Sequence, residues 1–243
     1  MTSIKETQVS TKRCGIINWF AKFPLFVDFM EQCISGSKEV RTYAESTYHK
    51  LILSLFTWLN QLGEQDPVPK FKYITRLENF HCFAKEMTQR NVPCMAEYIQ
   101  QATDSYKANR TSFIELIVKD KFKSLTEYFD GIDALLVTLP AEEIQFQQSH
   151  SKQALAKYNS KNTSDKLDKI LSQVFKKVVK NLCIEEGLTT EVWDALTQYV
   201  VTKYQHFEDL VKKCYKGQQL SLTSKQLQEL CRSQVKKHLG DSD

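Results

Sequence analysis

"SDKLDKILSQVFKKVVKNLCIEE", residues 164–186, places apolar side chains at Leu167, Ile170, Leu171, Val174, Phe175, Val178, Val179 and Leu182. The i, i+3, i+4, i+7 spacing persists for over four turns, and Lys169, Gln173, Lys176, Lys177 and Lys180 fill the opposite face. A helix of 3.6 residues per turn gathers such positions onto one stripe, whereas a strand would alternate them every second residue. Gly187 is the expected stop, with Thr189–Thr190 and Glu191 as the N-terminal signal of a second helix. That helix carries Val192, Leu196, Tyr199, Val200, Phe207, Leu210, Val211 and Cys214 and ends before Gly217. Two long amphipathic helices joined by so short a turn are expected to lie antiparallel. Val174, Phe175, Val178 and Leu182 should then face Leu196, Tyr199, Val200 and Phe207.

The same period extends outward. Residues 16–34 read as a helix containing Pro24, and Gly36 separates it from a helix at 39–62 expected to bury Tyr48, Leu51, Leu55, Trp58, Leu59 and Leu62. "GEQDPVP", 63–69, is the clearest breaker, followed by a helix at 70–90 and by "NVP" at 91–93. Residues 94–138 are helical in pattern, with an interruption expected near Gly131. Leu139–Pro140 opens a short segment with Glu142 and Glu143 in its first turn, where carboxylates suit the helix dipole. Residues 147–163 are weaker, and a last helix is expected at 224–239. No useful strand alternation or internal repeat is visible. The predicted fold is all-α, an elongated stack of antiparallel helical bundles. Its expected organisation is a disordered tail at 1–11, a first bundle at 12–146, a weak connector at 147–163, a second bundle at 164–239 and a tail at 240–243.

Composition agrees and excludes several classes. Of 243 residues, 42% are hydrophobic and 26% charged, which fits a folded chain, and 7 Gly with 5 Pro is few for a sheet-rich fold. A net charge of +4 is below what a dedicated nucleic-acid binder carries. The seven cysteines (Cys14, Cys33, Cys82, Cys94, Cys183, Cys214, Cys231) are odd in number and form no CxxC pair, which points to a reducing compartment. The polar start "MTSIKETQVS" is unlike a signal peptide, and the apolar run "LILSLFTWL" falls short of the ~20 residues that span a bilayer.

The one dense group of chemically versatile side chains is "RLENFHCFAKEM", 76–87. On a helix, Tyr73, Leu77, Phe80, Ala84 and Met87 form a packing seam with His81 at its border, while Glu78, Asn79 and Cys82 are expected to point elsewhere. Adjacent His81 and Cys82 diverge by ~100° and are poorly placed to share a metal, and no HxxxH or HExxH spacing occurs. His81 is read as a hydrogen-bonded boundary residue. Cys94, just after Pro93 near a helix start, is the one thiol whose position would favour a thiolate. The pairs Glu142–Glu143 and Glu185–Glu186 diverge on a helix and form no acid–base pair. No phosphate cradle or nucleophile elbow is signalled. No catalytic residue, metal ligand or cofactor is therefore expected.

Three lysine groups could meet an anionic surface: Lys176, Lys177 and Lys180; Lys212, Lys213 and Lys216; and Lys236–Lys237. Yet residues 163–216 hold nine lysines against eight acids, a local excess of 9 − 8 = +1. A solvated helix face is the simpler reading, with anionic-lipid or partner contact at Lys176, Lys177, Lys180, Lys212, Lys213 and Lys216 as the functional one.

"RLENFHCFAKEM" (76–87), "LTEYFDGIDALL" (125–136), "SHSKQALAKY" (149–158) and "EEGLTTEVWDALTQYVVTKYQHFEDLVKKCY" (185–215) resemble, in order, the C-terminal region of the exocyst complex component 1 family. "KRCGIINWFAKFPLFVDFMEQ" (12–32) resembles its counterpart there, and the likeness fades past Leu222, so that 224–243 are expected to be particular to this chain. The resemblance implies a non-enzymatic helical scaffold in vesicle tethering during exocytosis. It also implies other exocyst subunits as partners, weak contact with anionic membrane, no nucleic acid or small-molecule substrate, and a cytoplasmic location, peripheral at plasma-membrane sites of exocytosis. In that family a phosphoinositide-binding module and a coiled coil precede the helical region, and this chain is expected to correspond to the C-terminal part alone. Two other readings stay open: a helical interaction scaffold outside exocytosis, and a helical enzyme with a thiol nucleophile.

Overall fold

The computed structural model describes residues 15–34, 36–182 and 187–239. Among them are ten α-helices and no strand: α1 (Asn18–Cys33), α2 (Lys38–Glu64), α3 (Pro69–Arg90), α4 (Ala96–Lys121), α5 (Lys123–Leu136), α6 (Ala141–Ile144), α7 (Lys152–Lys161), α8 (Ser164–Asn181), α9 (Leu188–Cys214) and α10 (Ser224–Leu239). Short 3₁₀ turns lie at Pro93–Met95 and Gln148–His150. The chain divides into two compact units, residues 1–113 with 181–184, and residues 114–180 with 185–243. The expected tails at 1–11 and 240–243, Cys14, Cys183 and the Glu185–Glu186 pair lie outside the described residues.

In the first unit α3 is the central helix. Phe56 of α2 meets Phe80 and Phe83 edge-on at 5.1 and 4.9 Å, and Arg76 reaches back to Glu64 and the Asn60 carbonyl, so α2 and α3 run antiparallel. Phe23 of α1 stacks on Phe83, and Asp28 takes a bidentate pair from Arg90, so α1 runs parallel to α3. With neighbours on two sides, α3 buries an unbroken run from Ile74 to Phe80, polar residues included. Gly63 makes room for this packing, since a Cβ there would sit 2.7 Å from Arg76 Nε. Ser37 caps α2 through the Val40 N–H, and Asn91, in the left-handed region at φ 51, closes α3.

In the second unit α9 is the central helix. Phe129 of α5 stacks on Phe207 at 4.3 Å, and Tyr128 meets Tyr215 through their hydroxyls at 2.9 Å while Asp133 meets His206 at 2.9 Å, setting α5 antiparallel to α9. Tyr158 of α7 donates to the Leu125 carbonyl. Trp193 Nε1 donates to the Cys231 carbonyl and the Tyr204 hydroxyl to the Leu222 carbonyl, setting α10 antiparallel to α9. Phe175 of α8, fully buried, meets Trp193 edge-on at 4.8 Å and stacks on His238 of α10 at 5.4 Å. Phe175 is thus shared between α9 and α10, rather than given to α9 alone.

Four local expectations change. The helix after residue 94 is broken at Phe122, and Gly131 lies inside α5; there a Cβ would meet His150 Nε2 at 2.8 Å, so the glycine serves close approach and not a turn. The polar stretch 147–163 contains α7, anchored by buried Leu155 and Tyr158. Gly187, at φ 93, is the N-cap of α9, which starts at Leu188 without a Thr side-chain cap. On α2 the buried face is Ala44, Tyr48, Ile52, Phe56, Leu59 and Gly63, while Leu51 is 40% exposed. Its second apolar stripe, Leu51, Leu55, Trp58 and Leu62, is displaced about a quarter turn from the buried face.

Candidate functional site

The cluster in "RLENFHCFAKEM" is a structural junction. Asn79 is fully buried: its Oδ1 accepts the Ile17 N–H at 2.8 Å, and its Nδ2 donates to the Gly15 and Thr75 carbonyls at 3.2 and 2.8 Å. Glu78 and Cys82 are also buried, contrary to the expectation that all three point away from the seam. The reason is that α3 has helices on more than one side. His81 is half-buried with its ring 5.0 Å from that of Tyr106 on α4, a packing arrangement. No group of three or more His, Cys, Asp or Glu among the described residues could hold a metal ion.

Three of the thiols, Cys94, Cys214 and Cys231, are held above their ordinary range. Burial, then Glu45 and Glu31, push the Cys94 thiol up, the reverse of what a nucleophile at a helix start requires. Burial likewise raises Cys214, and it pushes Cys231 up to about 12. Sequence position alone showed the helix start at Cys94 but not the carboxylates facing it from α1 and α2.

The lysines are surface groups of the second unit. Lys176, Lys180, Lys212, Lys213 and Lys216 are exposed. Lys177 pairs with Asp120 at 3.1 Å, and this ion pair holds the Asp120 carboxyl below its ordinary range. Lys212 pairs with Asp209 at 3.3 Å and Lys237 with Asp168 at 2.8 Å. Phe175 fixes the 176–180 group near Trp193, whereas Lys212 lies 212 − 193 = 19 residues further along α9, about 28 Å at 1.5 Å per residue. The two groups are not brought together. An open cleft of ≈ 460 Å³ beside the second is floored by Val211, Tyr215 and Leu222 and edged by Glu208 and Lys212.

Exposed apolar side chains concentrate in the first unit. Leu25 (64%) and Phe29 (63%) stand on one face of α1, and Val40 and Tyr43 (76%) on α2. Such grouping marks a contact surface more often than a catalytic one. No helix among the described residues is long and apolar enough to cross a membrane.

Comparison with known proteins adds the family. Residues 1–217 match the family model described as exocyst complex component Sec3, C-terminal. The chain is 35% identical over 239 residues to exocyst complex component 1 of Dictyostelium discoideum, covering 97% of this chain and 27% of that protein. It is 30% identical over 214 residues to exocyst complex component SEC3A of Arabidopsis thaliana (87% and 23%), and 26% identical over 240 residues to exocyst complex component 1 of Mus musculus (97% and 26%). The chain thus spans about a quarter of the length of these relatives. At 97% coverage most of α10 is aligned, so the expectation that 224–243 are particular to this chain is corrected. No solved structure matches it.

Proposed function

We propose, from the premise that this chain belongs to the exocyst complex component Sec3, C-terminal family, that it is a helical scaffold within an exocyst subunit, acting in the tethering of secretory vesicles. The observation that carries this reading is the family match over residues 1–217, joined by relatives that are all exocyst components. Its action is non-enzymatic: buried polar groups such as Asn79, Arg76 and Gln234 are spent on joining helices, and the raised thiol pKa values at Cys94 and Cys231 suit packing. The partners are other exocyst subunits, met through exposed apolar positions such as Leu25, Phe29 and Tyr43, where a few buried anchors would supply most of the affinity. The place of action is the cytoplasmic side of the plasma membrane, with at most weak contact to anionic lipid through the exposed lysines.

The test is affinity purification of the tagged chain from cells, followed by mass spectrometry. Co-purification of other exocyst subunits, reduced by Phe29→Asp and Tyr43→Asp, is the expected result. Their complete absence would overturn the reading.

A further inference from the structure

α10 is held in an unusual way. Its buried side chains form a thin stripe, Leu227, Cys231 and Gln234, with Ser224 at the start. The grip comes largely from α9 and falls on the backbone: Glu208 Oε1 accepts the Ser224 N–H at 3.0 Å, Tyr204 holds the Leu222 carbonyl, and Trp193 holds the Cys231 carbonyl. Glu208 thereby acts as a cap supplied from outside the helix, and its charge complements the positive end of the helix dipole. At the other end Asp168 of α8 accepts from Gln234 Nε2 at 2.7 Å and Lys237 Nζ at 2.8 Å, and Ser172 pairs with His238 at 3.0 Å.

Two carboxylates therefore bracket the face formed by α8 and α9. One reads a helix N-terminus and the other a cation 237 − 224 = 13 residues later, about 20 Å along the axis. This fixes direction and length while asking little of the intervening side chains. The fit is also incomplete. Gln234 is fully buried, yet its Oε1 has no hydrogen-bond partner among the described residues, and burying an unpaired carbonyl weakens an interface. The connection from α9 leaves Lys216–Gln219 exposed, with Gly217 at φ 77.

We propose that α10 is a releasable strap, and that the α8–α9 face beneath it is a docking site for a partner's amphipathic helix. That helix carries an N-terminal Ser or Thr, apolar or small residues at the positions of Leu227 and Cys231, and a Lys or Arg at the position of Lys237. Released, α10 uncovers Trp193 and Phe175, the kind of aromatic anchors on which helix-in-groove recognition depends. In cis α10 competes at the high effective concentration of a tethered ligand.

The probe is a synthetic peptide of residues 222–239 with a C-terminal fluorophore, titrated with the full chain in reducing buffer. Leu227→Asp in the full chain expels α10, and binding of the peptide is expected to tighten at least tenfold over wild type. A peptide that itself carries Leu227→Asp is expected not to bind. Equal binding by wild-type and Leu227→Asp chains, or undiminished binding of the altered peptide, overturns the proposal. Should Leu227→Asp not fold, amide exchange on the wild-type chain decides. α10 is expected to exchange as a block at least tenfold faster than the middle of α9. Protection in α10 equal to that of α9 overturns the proposal as well.

Discussion

Asn79 Oδ1 accepts the backbone N–H of Ile17 at 2.8 Å, across 62 residues of sequence. The same side chain donates to Gly15 and Thr75, so a single amide joins the entry of α1 to the middle of α3. It satisfies an N–H that the start of a helix leaves without an intrahelical partner.

Removing that amide strands a buried donor. Asn79→Leu, close in size, is expected to destabilise the chain by about 1–3 kcal/mol, the desolvation cost of the orphaned N–H. Asn79→Asp should be no better, because a carboxylate cannot donate to the Gly15 and Thr75 carbonyls. Urea unfolding of the two variants against wild type checks this, and midpoints unchanged in both would contradict it.

Phe175 tests the packing read from the first stretch of sequence. It is fully buried between Trp193 and His238. Phe175→Ala is expected to cost about 3–5 kcal/mol, transfer and cavity terms together. A thermal melt indistinguishable from wild type would show that the site is not packed in this way.

The Gly131–His150 contact predicts non-additivity. A methyl group at 131 would lie 2.8 Å from His150 Nε2, which donates to the Tyr128 carbonyl at 3.1 Å. Gly131→Ala is expected to destabilise by about 1–3 kcal/mol through overpacking. In the Gly131→Ala, His150→Ala double variant the clash is gone, so the two effects should sum to less than their separate values. Strict additivity in a double-mutant cycle would mean that the ring moves aside without cost.

Glu64 gives a dependence on pH. Hydrogen bonds from Lys72 and Arg76 hold its carboxyl below the ordinary value of 4.5. A carboxylate with a depressed folded pKa adds stability that is present above its unfolded pKa and lost as pH falls through the folded one. Glu64→Gln should therefore melt below wild type at pH 7, with the gap closing as pH drops below 4.5. A gap that persists unchanged at pH 3 would show that the loss is packing and not charge.

These relationships differ in how far the sequence reveals them. The α8 stripe is legible because one-sided burial imposes a period, and Phe175 and Val178 are buried as that period requires. Asn79 is not, because its partner is a backbone N–H 62 residues away and leaves no local signal. The hint was the apolar character of α3 on several faces, Phe71, Ile74, Leu77, Phe80 and Phe83 together, which implies a helix covered from more than one side. Gly131 reads as a breaker because glycine usually ends helices, whereas here His150 selects it for its missing side chain. For the lysines, only type and spacing along each helix are legible. Pairing with Asp120, Asp168 and Asp209 depends on tertiary placement for the first two and on rotamer choice for the third.

That placement governs the membrane prediction. Residues 163–216 carry nine lysines and eight acids, an excess of +1. Each basic residue near an anionic leaflet contributes about 1 kcal/mol, and neighbouring acids offset part of it. Lys177 and Lys212 are already paired, and Phe175 sets the 176–180 group about 28 Å along α9 from Lys212, beyond the ~8 Å over which charges cooperate at physiological salt. Neither group reaches the four or more uninterrupted charges that polybasic attraction needs. The chain is therefore expected to bind phosphoinositide vesicles weakly at low salt and to release them near physiological salt. Co-sedimentation across a salt series measures this, with Lys212, Lys213 and Lys216 reversed to Glu as the control. Retention on vesicles at physiological salt that the triple reversal abolishes would place a membrane contact at the end of α9, and would require the local acids to be turned away from the lipid.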